Sequence, residues 1–537
     1  MTIETYPTKK ARNPRRYAMC AVAVVGTVGM GITAIPNASA ATGPPNLSYK
    51  GTITMYAASY DPPIAGYKVA PGSITDPEMQ VAANAFEKMY PNIKIQFIPP
   101  TANSAGYSSG QYYISEAAAG TLPDVTWVPG YYVNVTLPNG LFQDLTPSFE
   151  QPNPFIPGNT KWINTMSSVA LNLDIVPGNT PGTSGDFVVN GDWGGIGFYY
   201  NKNLFKEAGI AAAPTSWNQL QADSTQIDQK LKSKGVYAGA SWTPVIYNWL
   251  AHYFQTNYLG IARDKEVWDI PASLRNAYQS YFYTHDGDWL NPAKNPEMAS
   301  AWWALGKALV QTWDPKNVDV AETTGPTSST GVPEFLGQNV AYVLVSGYAV
   351  PKEVAALPKS QQFPVGYFEL TNFEGTGPDA TSLPVWQDNG GPETSFQFGI
   401  ASSKADRTMT SSKFQAALAW LQFISTPKED SAIVNYEGNA MPIIAGSQVT
   451  PALSSIHAAL LANQKYYLGV CAYDGLTASA FSTIDGLYLS YVGGYIPLNK
   501  ALSELDSDAA TLISAYNSAN PAIVAKLTAL EAKGLIK

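Results

Sequence analysis

The sequence predicts an α/β fold, and two features carry that prediction. Between Thr52 and Val128, short β-rich runs alternate with stretches of helical periodicity, an order that favours a largely parallel sheet with helices packed across it. Further on, apolar residues recur at helical spacing through about 203–312, Ser411 to Ser425 and most of 449–537, interrupted by a buried-strand run at Val340 to Val345.

The elements follow in order. Thr52 to Tyr56 (TITMY) is rich in β-formers and makes a first strand. Met79 to Tyr90 places Val81, Ala82, Ala85, Phe86 and Met89 at helical spacing, and Pro91 closes it. Ile93 to Ile98 alternates apolar and polar residues as a strand does. A helix through Ile114 to Ala119 stops at Gly120, and Val125 to Val128 is a short apolar strand. Residues 150–190, 313–333 and 371–395 are rich in Pro, Gly, Thr and Asn and read as loops. There is no internal repeat, heptad pattern or low-complexity tract.

Composition narrows the function. Only 14% of residues are charged, against roughly 25% in ordinary soluble proteins. Few carboxylates and ammoniums leave little charge to accumulate in acid, so the composition predicts tolerance of an acidic setting. The N-terminus reads as an export signal: Lys9, Lys10, Arg12, Arg15 and Arg16 form a basic start, an apolar stretch runs from Tyr17 to Ile35, and Ala38-Ser39-Ala40 supplies a cleavage pattern. Cleavage after Ala40 is expected, with an uncleaved membrane anchor as the alternative; Arg15-Arg16 does not decide between twin-arginine and Sec export. Residues 41–49 then form a tether. The chain carries a net charge of −9, and losing the basic start makes it more acidic still. That argues against nucleic acid or an anionic membrane surface as partner. Cys471 is the only cysteine beyond the signal, so no internal disulfide forms.

Enzyme signatures are missing from the sequence. It has no Gly-x-Ser-x-Gly and no phosphate-binding Gly-Lys-Ser/Thr loop, and His252, His285 and His457 lack metal-ligand spacing. No catalytic residue, cofactor or metal is therefore assigned. A glycosidase pair of carboxylates stays open, because 41 acidic residues leave room for one and nothing singles two of them out.

Six blocks in order give the chain a family likeness: AFEKMYPNIKIQFI (85–98), AAAGTLPDVTWV (117–128), NGLFQDLTPSF (139–149), GIGFYYNKNLFKEAGI with PTSWNQL (195–210 and 214–220), FLGQNVAYVLVSGYAVP (335–351) and FQAALAWLQFISTPKEDSAIVNYEGNAMP (414–442). Together they resemble the extracellular solute-binding proteins of ABC importers, family 1, the group that includes maltodextrin-binding protein. Two departures stand out: the loops at 150–190 and 371–395 are longer than usual, and Gly347-Tyr348 stands where the family has Gly-Trp. The resemblance implies a type II periplasmic-binding-protein fold. Its first lobe would comprise 50–197 plus 398–438 and its second 198–397 plus 439–537. Crossings would fall at Gly197 to Tyr200, Ser395 to Ile400 and Glu437 to Pro442. It also implies a monomer that traps a solute in the interlobe cleft by hinge closure and presents it to membrane permease subunits.

A sugar offers C–H faces that stack on aromatic rings and hydroxyls that need donors and acceptors between those rings. Loops after predicted strands supply such residues. Tyr60 and Asp61 follow the first strand, Trp127 ends the third with Tyr131 beyond it, and Asp192 and Trp193 stand before the first crossing. Trp242 and Tyr247 lie where the family places second-lobe aromatic contacts, Tyr348 takes the place of its stacking Trp, and Trp386 and Asp388 precede the second crossing. Trp217, Trp420, Tyr199 and Tyr200 read as packing. The expected ligand is a carbohydrate, an oligosaccharide for preference. The alternatives are a secreted carbohydrate-active enzyme, or the same fold holding a polyamine, a phosphodiester or an iron chelate.

Overall fold

A computed structural model describes residues 43–68, 75–99, 111–128, 140–166, 175–177, 184–186, 188–194, 196–241, 303–304, 306–313, 331–368, 370, 396–438, 440–451, 453–454, 486–519 and 521–534. The export signal, residues 242–302 and the 371–395 loop lie outside them.

Thirteen strands are described: β1 (Gly51–Tyr56), β2 (Ile93–Phe97), β3 (Val125–Trp127), β4 (Ile175–Pro177), β5 (Ser184–Asp186), β6 (Val188–Asn190), β7 (Asp192–Trp193), β8 (Ile196–Asn201), β9 (Tyr237–Ser241), β10 (Val340–Ser346), β11 (Val365–Phe368), β12 (Gln397–Ile400) and β13 (Met441–Pro442). One sheet has the order β2-β1-β3-β12-β6 and another β11-β8-β10-β9. β13 pairs with β7, and β4 with β5.

The first sheet is parallel where its strands are separated by helices. β1 runs parallel to β2 and β3, as the strand–helix–strand order predicts. The sheet is largely parallel, as expected: β2, β1, β3 and β6 run the same way, and β12 alone runs against them. β12 is antiparallel to both β3 and β6, because it arrives from far along the chain rather than through a helical crossover. The second sheet is mixed as well: β10 is parallel to β9 but antiparallel to β8, which is antiparallel to β11.

Helix Pro77–Met89 is capped by Asp76, whose carboxylate accepts from the Glu78 N–H at 2.9 Å, and Pro77 fits the first turn. Its buried face is Met79, Ala82, Ala83 and Phe86, while Val81 and Met89 are exposed. The sequence places the apolar stripe about one position away, because Val81 and Met89 outweigh the small Ala83 in any pattern based on hydrophobicity. Phe86 meets Trp420 and Phe423 at ring-centroid distances of 5.4 and 5.7 Å. These rings sit in one core with Ile53, Met55, Val125, Phe398 and Leu421. The Thr-Pro-Lys-Glu-Asp run is a helix start read residue by residue: Thr426 caps, Pro427 opens helix Pro427–Glu437, and Glu429 and Asp430 fill its first turn.

The second sheet buries both faces, as strict alternation requires. Phe198, Tyr342, Leu344 and Phe368 face a core that includes Trp217, Trp303 and, from helix Leu498–Ala519, Ala501 and Leu505. Tyr199, Val343 and Val345 face the opposite way, toward Trp193, Tyr348 and Met441. Gly197 is glycine for lack of space: a Cβ there would lie 2.2 Å from the Tyr367 ring, which lies across it.

Candidate functional site

Strand register brings the ends of both sheets to one place. In the first sheet, β1 ends at Tyr56 and β3 at Trp127, Trp127 pairs with Phe398, and Gln397 pairs with Asn190. In the second, Ile196 pairs with Ser346, and Leu344 with Ser241, the last residue of β9. The chain passes between the two edges after Asn190. The residues expected to cross, Gly197 to Tyr200, belong wholly to β8 within the second sheet. The passage lies a few residues earlier.

The turn after β1 is tightly specified. Ala58 takes φ +54°, a left-handed conformation that costs a non-glycine residue energy. Asp61 holds it by accepting the Ala57 N–H at 3.0 Å. Burial pushes the Asp61 carboxyl up to about 7, against the lowering effect of that hydrogen bond. Tyr60 is fully buried and donates its hydroxyl to Asp192 Oδ2 at 2.5 Å, while its ring meets Phe396 at 5.6 Å. Asp192 is fully buried too.

Trp127 is the half-buried member of the expected set. Tyr56 lies edge-on at 6.4 Å, and the Trp127 carbonyl accepts the Tyr113 hydroxyl. Trp193 is buried where β7 meets β13, in one cluster with Tyr199, Tyr348 and Met441. Tyr348 follows Gly347 at φ +88° and is also buried, its ring 6.3 Å from Tyr367. Tyr131, Trp242, Tyr247, Trp386 and Asp388 lie outside the described residues.

The structure adds neighbours that sequence reading passed over. Asn190, Gln397 and Ser241 are buried polar residues at the same sheet ends. Only their position at the last or first residue of a strand could have signalled them. Tyr367, between Tyr199 and Tyr348, is half-buried. Chemically, this edge offers aromatic rings with carboxyl, amide and hydroxyl groups between them. Among the described residues, no group of three His, Cys, Asp or Glu could hold a metal ion, and no helix is long and apolar enough to cross a membrane.

Two α/β units joined by crossing segments, with polar and aromatic residues at the sheet ends between them, define a two-lobed binding protein of the periplasmic type II class. The chain belongs to the bacterial extracellular solute-binding protein family, whose model matches residues 71–429. Among solved structures, a family 1 extracellular solute-binding protein from Bifidobacterium longum subsp. infantis is 14% identical, with a TM-score of 0.54 over 86% of this chain and 100% of its own. A chitin oligosaccharide binding protein is 15% identical, with a TM-score of 0.56 over 87% and 99%. An ABC substrate-binding protein from Listeria monocytogenes, in complex with cycloalternan, is 14% identical, with a TM-score of 0.53 over 87% and 100%. No curated protein matches the chain.

Proposed function

We propose that this protein is exported, captures a carbohydrate of oligosaccharide size between its lobes, and delivers it unchanged to the permease subunits of an ABC importer. The observation that carries the reading is the family match over residues 71–429. A chitin oligosaccharide binding protein and a substrate-binding protein in complex with cycloalternan, both of the same fold, support sugar as the ligand class. The lobes are proposed as 50–197 plus 398–438 and 198–397 plus 439–537, with the first boundary drawn back to Asn190 because β8 lies wholly in the second sheet, and the second to the start of β12, whose Gln397 pairs in the first. Tyr60, Asp61, Trp127, Tyr131, Asp192, Trp193, Trp242, Tyr247, Tyr348, Trp386 and Asp388 are the proposed ligand residues. Among those described, Trp127 keeps the most open surface for a sugar face, since Tyr60 and Asp192 are engaged with each other.

A thermal-shift screen of the ligand-free protein against mono- and oligosaccharides tests this. The correct sugar at 100 times its Kd stabilises the fold by about 2.7 kcal/mol. Trp127→Ala lowers affinity for that sugar about tenfold or more by removing a stacking plate. A panel without a single stabilising sugar overturns the reading.

A further inference from the structure

All three crossings meet at Gly191. Its N–H donates to the Phe396 carbonyl at 3.1 Å, where the chain re-enters the first sheet. Its own carbonyl accepts the N–H of Ile443 at 2.9 Å, the residue just past β13. No side chain fits at this point: a Cβ would lie 2.6 Å from both Asp430 Oδ1 and the Phe396 ring.

Asp430 is fully buried against that glycine. Ser447 donates its hydroxyl to Asp430 Oδ2 at 2.6 Å, and the Ile444 N–H also bonds the carboxyl. Both donors lie just beyond the third crossing. The charged group acting on Asp430 is a second carboxyl, Asp192, which follows Gly191 directly and accepts the Tyr60 hydroxyl. On Asp430's own helix, Glu429 is occupied by Lys428 at 2.6 Å, and among the described residues no cation pairs with Asp430. Burial, then Asp192, raise the Asp430 carboxyl well above its ordinary value against the lowering effect of Ser447 and Ile444.

We propose that this junction is a proton-linked hinge lock, in which a protonated Asp430 opposite Asp192 holds the three crossing segments together at Gly191. Loss of that proton places two buried carboxylates across the junction and loosens it. The lobes of the ligand-free protein therefore sample open arrangements more as pH rises. The device rests on the two-lobed fold and not on the identity of the ligand.

The test is small-angle scattering and amide hydrogen exchange on the full ligand-free protein from pH 4 to 8, for wild type and Asp430→Asn. Asparagine copies the neutral acid: it can still accept from Ser447, and it carries no carboxyl that can ionise beside Asp192. In wild type, protection of the Gly191 and Ile443 amides is expected to fall at least tenfold more with rising pH than base-catalysed exchange accounts for, with an increase in radius of gyration. Asp430→Asn is expected to lose this junction-specific fall and the change in radius of gyration, keeping only the general decline in protection that it shares with amides elsewhere in the fold. Ser447→Ala, a milder change that preserves the carboxyl, shifts the wild-type transition to higher pH. Identical pH responses in wild type and Asp430→Asn overturn the proposal, as does a wild type with no response. If Asp430→Asn does not fold, an unshifted transition in Ser447→Ala overturns it. Because no sugar is present, failure here is separate from failure of the sugar assignment.

Discussion

Lys413→Met is expected to destabilise the protein by about 3 to 5 kcal/mol, the cost of leaving a buried carboxylate without its counter-ion. Lys413 reaches Asp124 at 2.5 Å and Asp406 at 3.4 Å, and donates to the Thr408 hydroxyl at 2.7 Å. Asp124 is almost fully buried and also accepts the Thr54 N–H at 2.8 Å and the Thr54 hydroxyl at 3.0 Å. One ammonium thus ties β1, the loop before β3 and helix Ser411–Ile424 into one network. Burial, and then the neighbouring Asp406 carboxyl, push the Asp124 carboxyl up to about 6, while Lys413 and Thr54 pull it down. Without the ammonium only Thr54 opposes burial, and Asp124 must take up a proton or the fold must open. Denaturant unfolding measures the loss. The double variant Lys413→Met/Asp124→Asn recovers part of it by removing the stranded charge. A loss below about 1 kcal/mol for the single variant contradicts this account of the network.

The second large effect is on pH dependence: the ligand-free protein is expected to be more stable near pH 4 than near pH 7. Burial raises Asp61 to about 7 and Asp223 to about 6. A carboxyl whose folded value lies above its unfolded value binds its proton more tightly in the folded state. Its stabilising contribution is complete below the unfolded value near 4 and is lost as pH rises through 6 to 7. Asp61, which is well buried, contributes on the order of 4 kcal/mol over that window. Asp406 works the other way: against its own burial, the hydrogen bonds with the Asp124 carboxyl and with Thr408, and then the Lys413 charge, hold it low, so it begins to cost stability only below its ordinary range. The measurement is the melting temperature from pH 3.5 to 8. A fall as pH increases from 4 to 7 is expected, and Asp61→Asn flattens the profile. A melting temperature that rises over that interval contradicts the account. This direction agrees with the low charge density, which suggests tolerance of acid for an independent reason.

Sequence reading recovers the parts of this molecule that are local. The alternation of β1, helix Pro77–Met89, β2 and β3 follows from periodicity and from Pro and Gly punctuation. Gly197 stands out in the chain, and its reason, the Tyr367 ring lying across it, becomes clear only when β8 and β11 pair. What escapes is non-local. Lys413 resembles any helix-surface lysine, and its partners lie seven and 289 positions away. Asp430 is found in a helix-start motif, where an acid is explained by the helix dipole alone, and nothing nearby marks it as the buried neighbour of Gly191. Among the candidate ligand residues, spacing finds Tyr60 and Asp192 but not the hydrogen bond between them, which spans 132 positions. The antiparallel placement of β12 escapes for the same reason, since its partners are set by the return of the chain and not by its own four residues.

The protein is proposed to capture its carbohydrate unmodified. Calorimetric titration of the purified chain with the oligosaccharide panel, with chromatography of the recovered ligand, tests it most directly. The account predicts saturable one-site binding, a negative heat-capacity change from buried ring faces, and full recovery of the intact sugar. Absence of binding across the panel, or release of shorter saccharides, would contradict it.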